Sequence, residues 1–274
     1  MAIFNLSVQN SNLYFKHDIT YSPPCTLISN HMHSAYEILY ILSGDASLVI
    51  EDKETRVRPG DLIVVPPRYY HYLKINSPVD YERYNFLFMP SELDVGDDLI
   101  PHSYVVNITN NHFATEIFKK FDYYYSVFDT KKFAEVAKLL LKELLFALSV
   151  LKQPVENGLS SVLNPVLSDA LSYIKENLFT LTGIAEVANK LYVSESYLFY
   201  LFKTYVKTTP KRYLTEKRLL ASKALIAQGV KPTKAFEQVG FNDYTSFYRN
   251  FVKFFGYAPS NDKDVIPNIT LHDI

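Results

Sequence analysis

The chain is almost without cysteine: Cys25 is its single thiol in 274 residues. One thiol excludes an intramolecular disulfide framework and a four-thiolate zinc site, and it suits a reducing compartment. Long apolar runs are missing too. No stretch reaches the ~18 residues a membrane helix needs, and the richest, at 139–151, is interrupted by Lys142 and Glu143. The first ten residues, MAIFNLSVQN, have neither a basic segment nor an unbroken apolar one, so no export signal is read there and the cytoplasm is the expected location. The composition does not suit a disordered chain either, since 48% hydrophobic against 21% charged residues is globular. At ~100–200 residues per domain, the length accommodates two.

A net charge of −1 conceals an asymmetry. Residues 166–274 carry 14 Lys and Arg against 10 Asp and Glu, whereas the preceding part carries 14 against 19. Between 203 and 234, nine basic residues (Lys203, Lys207, Lys211, Arg212, Lys217, Arg218, Lys223, Lys231, Lys234) face Glu216 alone. Such a cluster can neutralise phosphates and release counterions, or it can be a solvated helix face.

The first third reads as strands. The runs at 37–42, 46–50, 55–58 and 62–65 are short and β-branched or aliphatic, and Ser43-Gly44-Asp45, Glu51-Asp52-Lys53 and Pro59-Gly60-Asp61 separate them as turns. A further strand is expected at 80–89, with Tyr81, Arg83, Asn85 and Leu87 alternating against Glu82, Tyr84, Phe86 and Phe88. This spacing suggests a sandwich or barrel. Near Phe113 the period changes. Phe133, Ala137, Leu140, Leu144, Ala147 and Leu151 recur at 4-3-4-3-4 spacing, a helical seam widened by Leu141, Leu145 and Leu148. That face either lies on the barrel or is partly left for a second subunit, and a dimer is the expectation. Residues 153–165 break the period and read as a linker.

Beyond it the pattern is helical. Residues 183–190 form a short amphipathic helix, 191–193 a break, and Ser194 an N-cap for a second helix burying Leu198, Leu201 and Phe202. This is the helix-turn-helix plan, whose second helix offers its N-terminal, outward residues to the major groove. The plan recurs: 232–239 is a short helix with Pro232 in its first turn, Gly240-Phe241 makes the turn, and Asn242 or Asp243 caps a helix burying Phe247, Phe251 and Phe254 or Phe255. The helix starting at Pro210 would hold the two units at a fixed separation.

Ser194 to Lys203 with Pro210, followed by Val239, Gly240, Phe241, Asp243, Phe247, Phe251, Lys253, Phe254, Phe255, Gly256, Pro259 and Ser260, closely resemble the signature of the AraC/XylS family of transcription regulators, over roughly 166–263. Departures are Ala235-Phe236 where the family usually has Ile-Ala, and Lys207 where Gly is common. The resemblance implies that Ser196, Phe199 and Tyr200 face DNA from the first recognition helix, and Tyr244, Thr245, Tyr248 and Arg249 from the second. Ser194, Lys203 and Lys253 are then better placed for phosphates. Arg249 is the strongest candidate for a base contact, because a guanidinium grips guanine O6 and N7 together.

His31-x-His33-x3-Glu37-x6-Gly44, followed by Pro59-Gly60-x5-Pro66-x4-His71, resembles the two cupin motifs. That resemblance implies ligand-binding residues His31, His33, Glu37, Arg68 and His71, with Arg83 as an outlier. No metal is assigned; were a divalent metal bound, the ligands would be His31, His33, Glu37 and His71. Tyr36, Tyr40, Tyr69, Tyr70, Tyr72 and Tyr84 are candidate walls of a pocket for a sugar or other small polar metabolite.

The expected class is α+β: an N-terminal cupin (double-stranded β-helix, jelly-roll) barrel at 1–112, a helical dimerisation segment at 113–152, a linker at 153–165, and an all-α domain with two helix-turn-helix units at 166–263. The expected function is a ligand-responsive, sequence-specific regulator without catalytic residues. Its partners would be double-stranded DNA, an effector such as a carbohydrate, a second copy of the chain, and RNA polymerase, with no membrane. The competing reading is a metal-dependent cupin enzyme with a helical accessory domain. A third is a constitutive DNA-binding protein whose barrel only dimerises.

Overall fold

The computed structural model describes residues 2–9, 13–25, 27–96, 99–100, 104–150 and 161–261. Its N-terminal part holds β1 (Ala2–Gln9), β2 (Leu13–Thr20), β3 (Leu27–His31), β4 (Tyr36–Ser43), β5 (Ala46–Ile50), β6 (Lys53–Val57), β7 (Asp61–Val65), β8 (His71–Ile75), β9 (Tyr81–Phe88) and β10 (Tyr104–Asn107). Two antiparallel sheets form, in the orders β1-β2-β9-β4-β7-β10 and, with β11 (Ser161–Val162) added from further along the chain, β11-β6-β5-β8-β3. Leu39, Ile41, Ile63 and Val65 of the first meet Leu48, Val57, Leu73 and Ile75 of the second, which closes an apolar interior between the sheets. This is the expected cupin barrel.

Strand period 2 sends alternate residues to the other face of the larger sheet. There Phe15, Ile38, Val64 and Phe86 pack under α1 (His112–Val127) and α2 (Thr130–Ser149). Phe15 stacks on Phe121 at 5.3 Å and tilts against Phe133 at 5.4 Å. The helix seam is consumed in this contact: Phe133, Ala137, Leu140, Leu144 and Leu148 are all buried within the chain. It is therefore not a dimer surface. The outward side of α2 instead carries Leu139 and Phe146, followed by Val150 at its C-cap, exposed by 68%, 54% and 80%. Leu151 lies outside the described residues.

The candidate pocket walls are corrected by the same parity. Tyr40 and Tyr84 point outward onto Phe118, and Tyr36 stacks on Phe88, so none of the three faces the interior.

One polar tie crosses the helix–sheet contact. His17 lies with Nδ1 3.0 Å from Asp122 of α1 and Nε2 2.9 Å from Glu82 of β9, while Tyr84 donates to the other Asp122 oxygen at 2.5 Å. Burial works against an imidazolium here, but the two carboxylates prevail and raise the His17 pKa. A raised folded-state pKa gives stability that is complete below the unfolded value, about 6.5, and is lost as pH rises through the folded value. The melting temperature of the full chain is thus expected to fall as pH rises from about 6 to about 9. His17→Gln should flatten that slope, and parallel pH profiles for wild type and variant would refute the assignment.

Residues 153–160 of the expected linker lie outside the described residues. Its end is not free chain: β11 (Ser161–Val162) pairs with β6 at the edge of the smaller sheet. Asn164 then caps α3 (Pro165–Glu176), with Pro165 in the first turn. The helical part continues as α4 (Ile184–Lys190), α5 (Glu195–Leu201), α6 (Pro210–Ala227), α7 (Pro232–Gln238) and α8 (Tyr244–Phe255). Leu171, Leu198, Phe202, Leu219, Phe247 and Phe251 form its core.

Candidate functional sites

The first helix-turn-helix unit is α4, a turn through Tyr192 at φ +55°, and α5. The Ser194 hydroxyl accepts from the Tyr197 N–H at 3.1 Å, the N-cap its sequence predicts. After α5 the chain continues through a π-helical turn, Phe202–Val206, and ends in left-handed Lys207 at φ +58°. The lysine stands where the family's Gly would adopt that conformation without strain. In the second unit, Asp243 rather than Asn242 caps α8, accepting from Ser246 N–H at 2.7 Å, and Phe255 rather than Phe254 is the fully buried partner of Phe251.

Ser194, Ser196, Phe199, Tyr200, Lys203, Thr245, Tyr248, Arg249 and Lys253 are all exposed. Phe199 at 49% and Tyr200 at 58% exposure are not core residues. Tyr244 differs, being half-buried against Phe236 and Phe247, so much of its ring is structural. An open groove between the units is lined by Ser196, Phe199, Lys211, Thr215, Asn242 and Ser246.

Part of the basic cluster is not free for DNA. Lys223 is buried, donating to the Tyr257 hydroxyl at 2.8 Å. Arg218 is spent on three carbonyls, Leu178 (2.8 Å), Gly240 (2.7 Å) and Leu181 (2.6 Å). Lys217 is turned toward the barrel. Lys203, Lys207, Lys211, Lys231 and Lys234 remain exposed, along with Arg212, which pairs with Glu216 at 2.6 Å.

In the barrel, His31, His33, Glu37 and His71 converge, with one donor atom from each lying within 4.8 Å of the others. His33 Nδ1 lies 2.9 Å from the Ala35 carbonyl and His71 Nδ1 2.9 Å from the Tyr69 carbonyl. Each Nδ1–H donates there, so both Nε2 atoms aim inward. His71 Nε2 is 2.6 Å from Glu37 Oε2, and His33 Nε2 is 3.5 Å from the same oxygen without a geometrically acceptable hydrogen bond. Burial alone would push the Glu37 carboxyl up, yet the surrounding imidazoles hold it well below the carboxylate range. Three imidazoles, two of them oriented from behind by backbone carbonyls, and one carboxylate fit a divalent transition metal, which would be held by these four side chains and polarise an oxygen ligand.

The remaining predicted ligand residues separate. Arg83 is buried on the inner face of β9, as its alternation suggests. Arg68 is not in the barrel: its side chain is exposed and lines a cavity of about 220 Å³ between barrel and helical domain, with Glu51, Tyr69, Leu178, Tyr213 and Lys217. Its backbone is left-handed, at φ +71°. Sequence reasoning missed Tyr14, Lys16, Asp18 and Asn85, all buried on the same inner face as Arg83.

The short segments that carry the imidazoles, 31–33 and 70–72, also carry the junction with the helical domain. Met32, between His31 and His33, and Tyr70, beside His71, belong to the core cluster of the helical domain. Tyr70 stacks on Tyr213 at 5.4 Å and donates to Glu216 of α6, and Tyr72 donates to the Tyr205 carbonyl at 3.3 Å. Glu51 accepts from Tyr213 at 2.7 Å and from Lys217 at 2.6 Å. Tyr69, Tyr70 and Tyr72 therefore line this junction and not the barrel interior.

A cupin barrel joined to two successive helix-turn-helix units defines a DNA-binding transcription regulator. Residues 19–82 match the family described as "Cupin domain" and residues 187–263 the one described as "Helix-turn-helix domain". The chain belongs to the AraC/XylS family of transcription regulators, with a cupin-type N-terminal domain. It is 23% identical over 269 residues to the raffinose operon transcriptional regulatory protein RafR of Pediococcus pentosaceus, covering 94% of this chain and 95% of RafR. It is 29% identical over 230 residues to the uncharacterized HTH-type transcriptional regulator YbfI of Bacillus subtilis, covering 78% and 79%. The probable transcriptional regulator LumQ of Photobacterium leiognathi is 34% identical over 99 residues, a match spanning 36% of this chain and 39% of LumQ. RafR and YbfI, whose matches extend over most of the chain, are named as transcriptional regulators, in agreement with a regulator and not an enzyme. Among the described residues no helix is long and apolar enough to cross a membrane.

Proposed function

We propose that the chain is a ligand-responsive, sequence-specific regulator acting in the cytoplasm, whose barrel binds a sugar or other small polar metabolite and whose helical domain reads two adjacent turns of DNA. One observation carries the responsiveness. His31, His33 and His71 face the barrel interior, while their neighbours Met32, Tyr70 and Tyr72 contact the helical domain. A ligand that binds one arrangement of the imidazoles better than another must bias the packing of those neighbours. The carbohydrate reading draws support from RafR, named for a raffinose operon. The domain division at 1–112, 113–152 and 166–263 is kept, with the linker confined to the chain before β11. Homodimerisation is assigned to the outward side of α2, and RNA polymerase is the further partner an activator would need.

On the DNA side, Arg249 and Thr245 with Tyr248 read bases, Ser196, Phe199 and Tyr200 make apolar and sugar contacts, and Ser194, Lys203 and Lys253 hold phosphates. DNA selected by the chain from a random pool supplies the test. Arg249→Ala should cost about 1–3 kcal/mol and relax preference at one base pair. Lys203→Ala should weaken all sequences evenly and lower the salt slope by about 1. Equal, sequence-independent losses for both variants would overturn these roles.

A further inference from the structure

The inner face of the larger sheet is divided. Toward β4 and β7 it is apolar, with Leu39, Ile41, Ile63 and Val65. Toward β2 it is charged. The strand register sets Lys16 opposite Asn85 and Asp18 opposite Arg83, and Tyr14 precedes them on the same parity. All five are buried, at 8%, 1%, 4%, 3% and 2% exposure in that order. Charges at this depth are rare unless paired or bound to a ligand.

Their pairing is incomplete. Asp18 lies 3.6 Å from the Lys16 ammonium and 3.5 Å from Arg83 Nε, both beyond good hydrogen-bond distance. Asp18 Oδ1, Arg83 Nε, Asn85 Oδ1 and the Tyr14 hydroxyl are buried without a hydrogen-bond partner among the described residues. The Asn85 amide nitrogen is committed to Glu37 Oε1 at 2.9 Å, which fixes the amide and leaves Oδ1 to accept. Glu37 is in turn matched by the imidazoles. Among the described residues, two cations on this inner face therefore share one carboxylate.

We propose that this face binds a polyhydroxylated organic anion of the sugar-acid class, with its carboxylate on Arg83 and Lys16 and its hydroxyls on Asp18, Asn85 and Tyr14. A guanidinium offers a planar fork that matches a carboxylate. A neutral sugar would leave the excess cation uncompensated in a low-dielectric interior. A simple anion would leave the acceptors Asp18 Oδ1 and Asn85 Oδ1 without donors, a cost in itself. An amino acid would meet Asp18 with its ammonium but cancel its own charge. Hydroxyls, which both donate and accept, suit the mixed set of Asp18, Asn85 and Tyr14.

The inference rests on the barrel being the sensor, and its test keeps the two apart. The full chain, freed of metal by a chelator and dialysed, is titrated with galacturonate, gluconate, galactose and alanine at matched ionic strength, with melting temperature and heat of binding recorded. At about 100-fold excess over Kd a bound sugar acid should raise Tm by roughly 5–10 °C, and galactose should bind at least about tenfold more weakly. Lys16→Gln and Arg83→Gln should each erase the preference for acid over neutral sugar. Lys16 lies on β2, the second strand from the edge of the larger sheet, and Lys16→Gln gives the same readout should Arg83→Gln not fold. Binding of galactose at least as tight as that of galacturonate, occupation by alanine, or no saturable shift from either acid overturns the ligand class. Galactose that binds and alters DNA affinity would leave the sensor reading standing without the anion. If no compound binds and DNA affinity is indifferent to all of them, both fall.

Discussion

Arg218→Ala is expected to cost the helical domain on the order of 3–5 kcal/mol and to remove specific DNA binding with it. The guanidinium sits mid-way along α6 and ties the helix to both ends of its own domain. It donates to Leu178 and Leu181, in the chain between α3 and α4, and to Gly240, in the turn between α7 and α8. These are the segments that set the angle of each helix-turn-helix unit on the connecting helix. Each charge-assisted bond is worth about 1.5–3 kcal/mol, and deletion strands three carbonyls at once, although the contributions do not simply add. Lysine has one ammonium and no fork, so Arg218→Lys should recover only part of the loss. Gly240 tests the same joint from the other side: it has φ +84°, and an added Cβ would lie 2.4 Å from the Phe179 carbonyl oxygen. Urea melts of the variants, with binding to selected DNA measured in parallel, check the expectation. Unfolding within about 1 kcal/mol of wild type together with intact DNA binding would show that Arg218 is an ordinary surface cation.

Much of this architecture was legible in the residues. The strands at 46–50 and 62–65, the cap Ser194, and the burial of Phe247 and Phe251 follow from turn chemistry, capping chemistry and period alone, whereas capping chemistry leaves Asn242 and Asp243 equal and the structure selects Asp243. Convergence of His31, His33, Glu37 and His71 is what the resemblance to the cupin motifs implies. The illegible parts share one physical cause, that of inferring which way a residue faces from its polarity. In 13–20, Lys16 and Asp18 look like a solvated parity, whereas both faces of β2 are covered, one by α1 and α2 and the other by the barrel interior. Only the strand register with β9 reveals this. The tyrosines mislead in the opposite sense, because aromatic residues suit a pocket wall, a helix-covered face and a domain junction equally well. Likewise the α2 seam has the period of an intersubunit contact, but the larger sheet already supplies its partner. Lys217, Arg218 and Lys223 carry the charge of a phosphate-binding row, yet interior or junction contacts consume all three.

The junction yields the remaining large effect. In Met32→Ala/Tyr70→Phe the barrel should lose its influence on DNA affinity while the imidazole cluster keeps its own chemistry. Tyr70→Phe retains the ring against Tyr213 and removes the bond to Glu216. Met32→Ala removes the thioether that reaches the helical core from between His31 and His33. Neither change touches the four inward side chains. Coupling between two sites in one protein is typically 1–3 kcal/mol, or about 5–150-fold in affinity, and it is reciprocal. With Zn²⁺ as the probe of the His31, His33, Glu37 and His71 cluster, wild-type affinity for selected DNA is expected to differ by a factor in that range between zinc-loaded and chelator-treated protein. DNA should shift zinc affinity by the same factor. In the double variant both ratios should fall to within about twofold of unity, with zinc affinity in the absence of DNA unchanged. A double variant that keeps the wild-type ratio would mean the signal does not pass through Met32 and Tyr70. The alternative route would then be β11, which joins the smaller sheet directly to the start of α3.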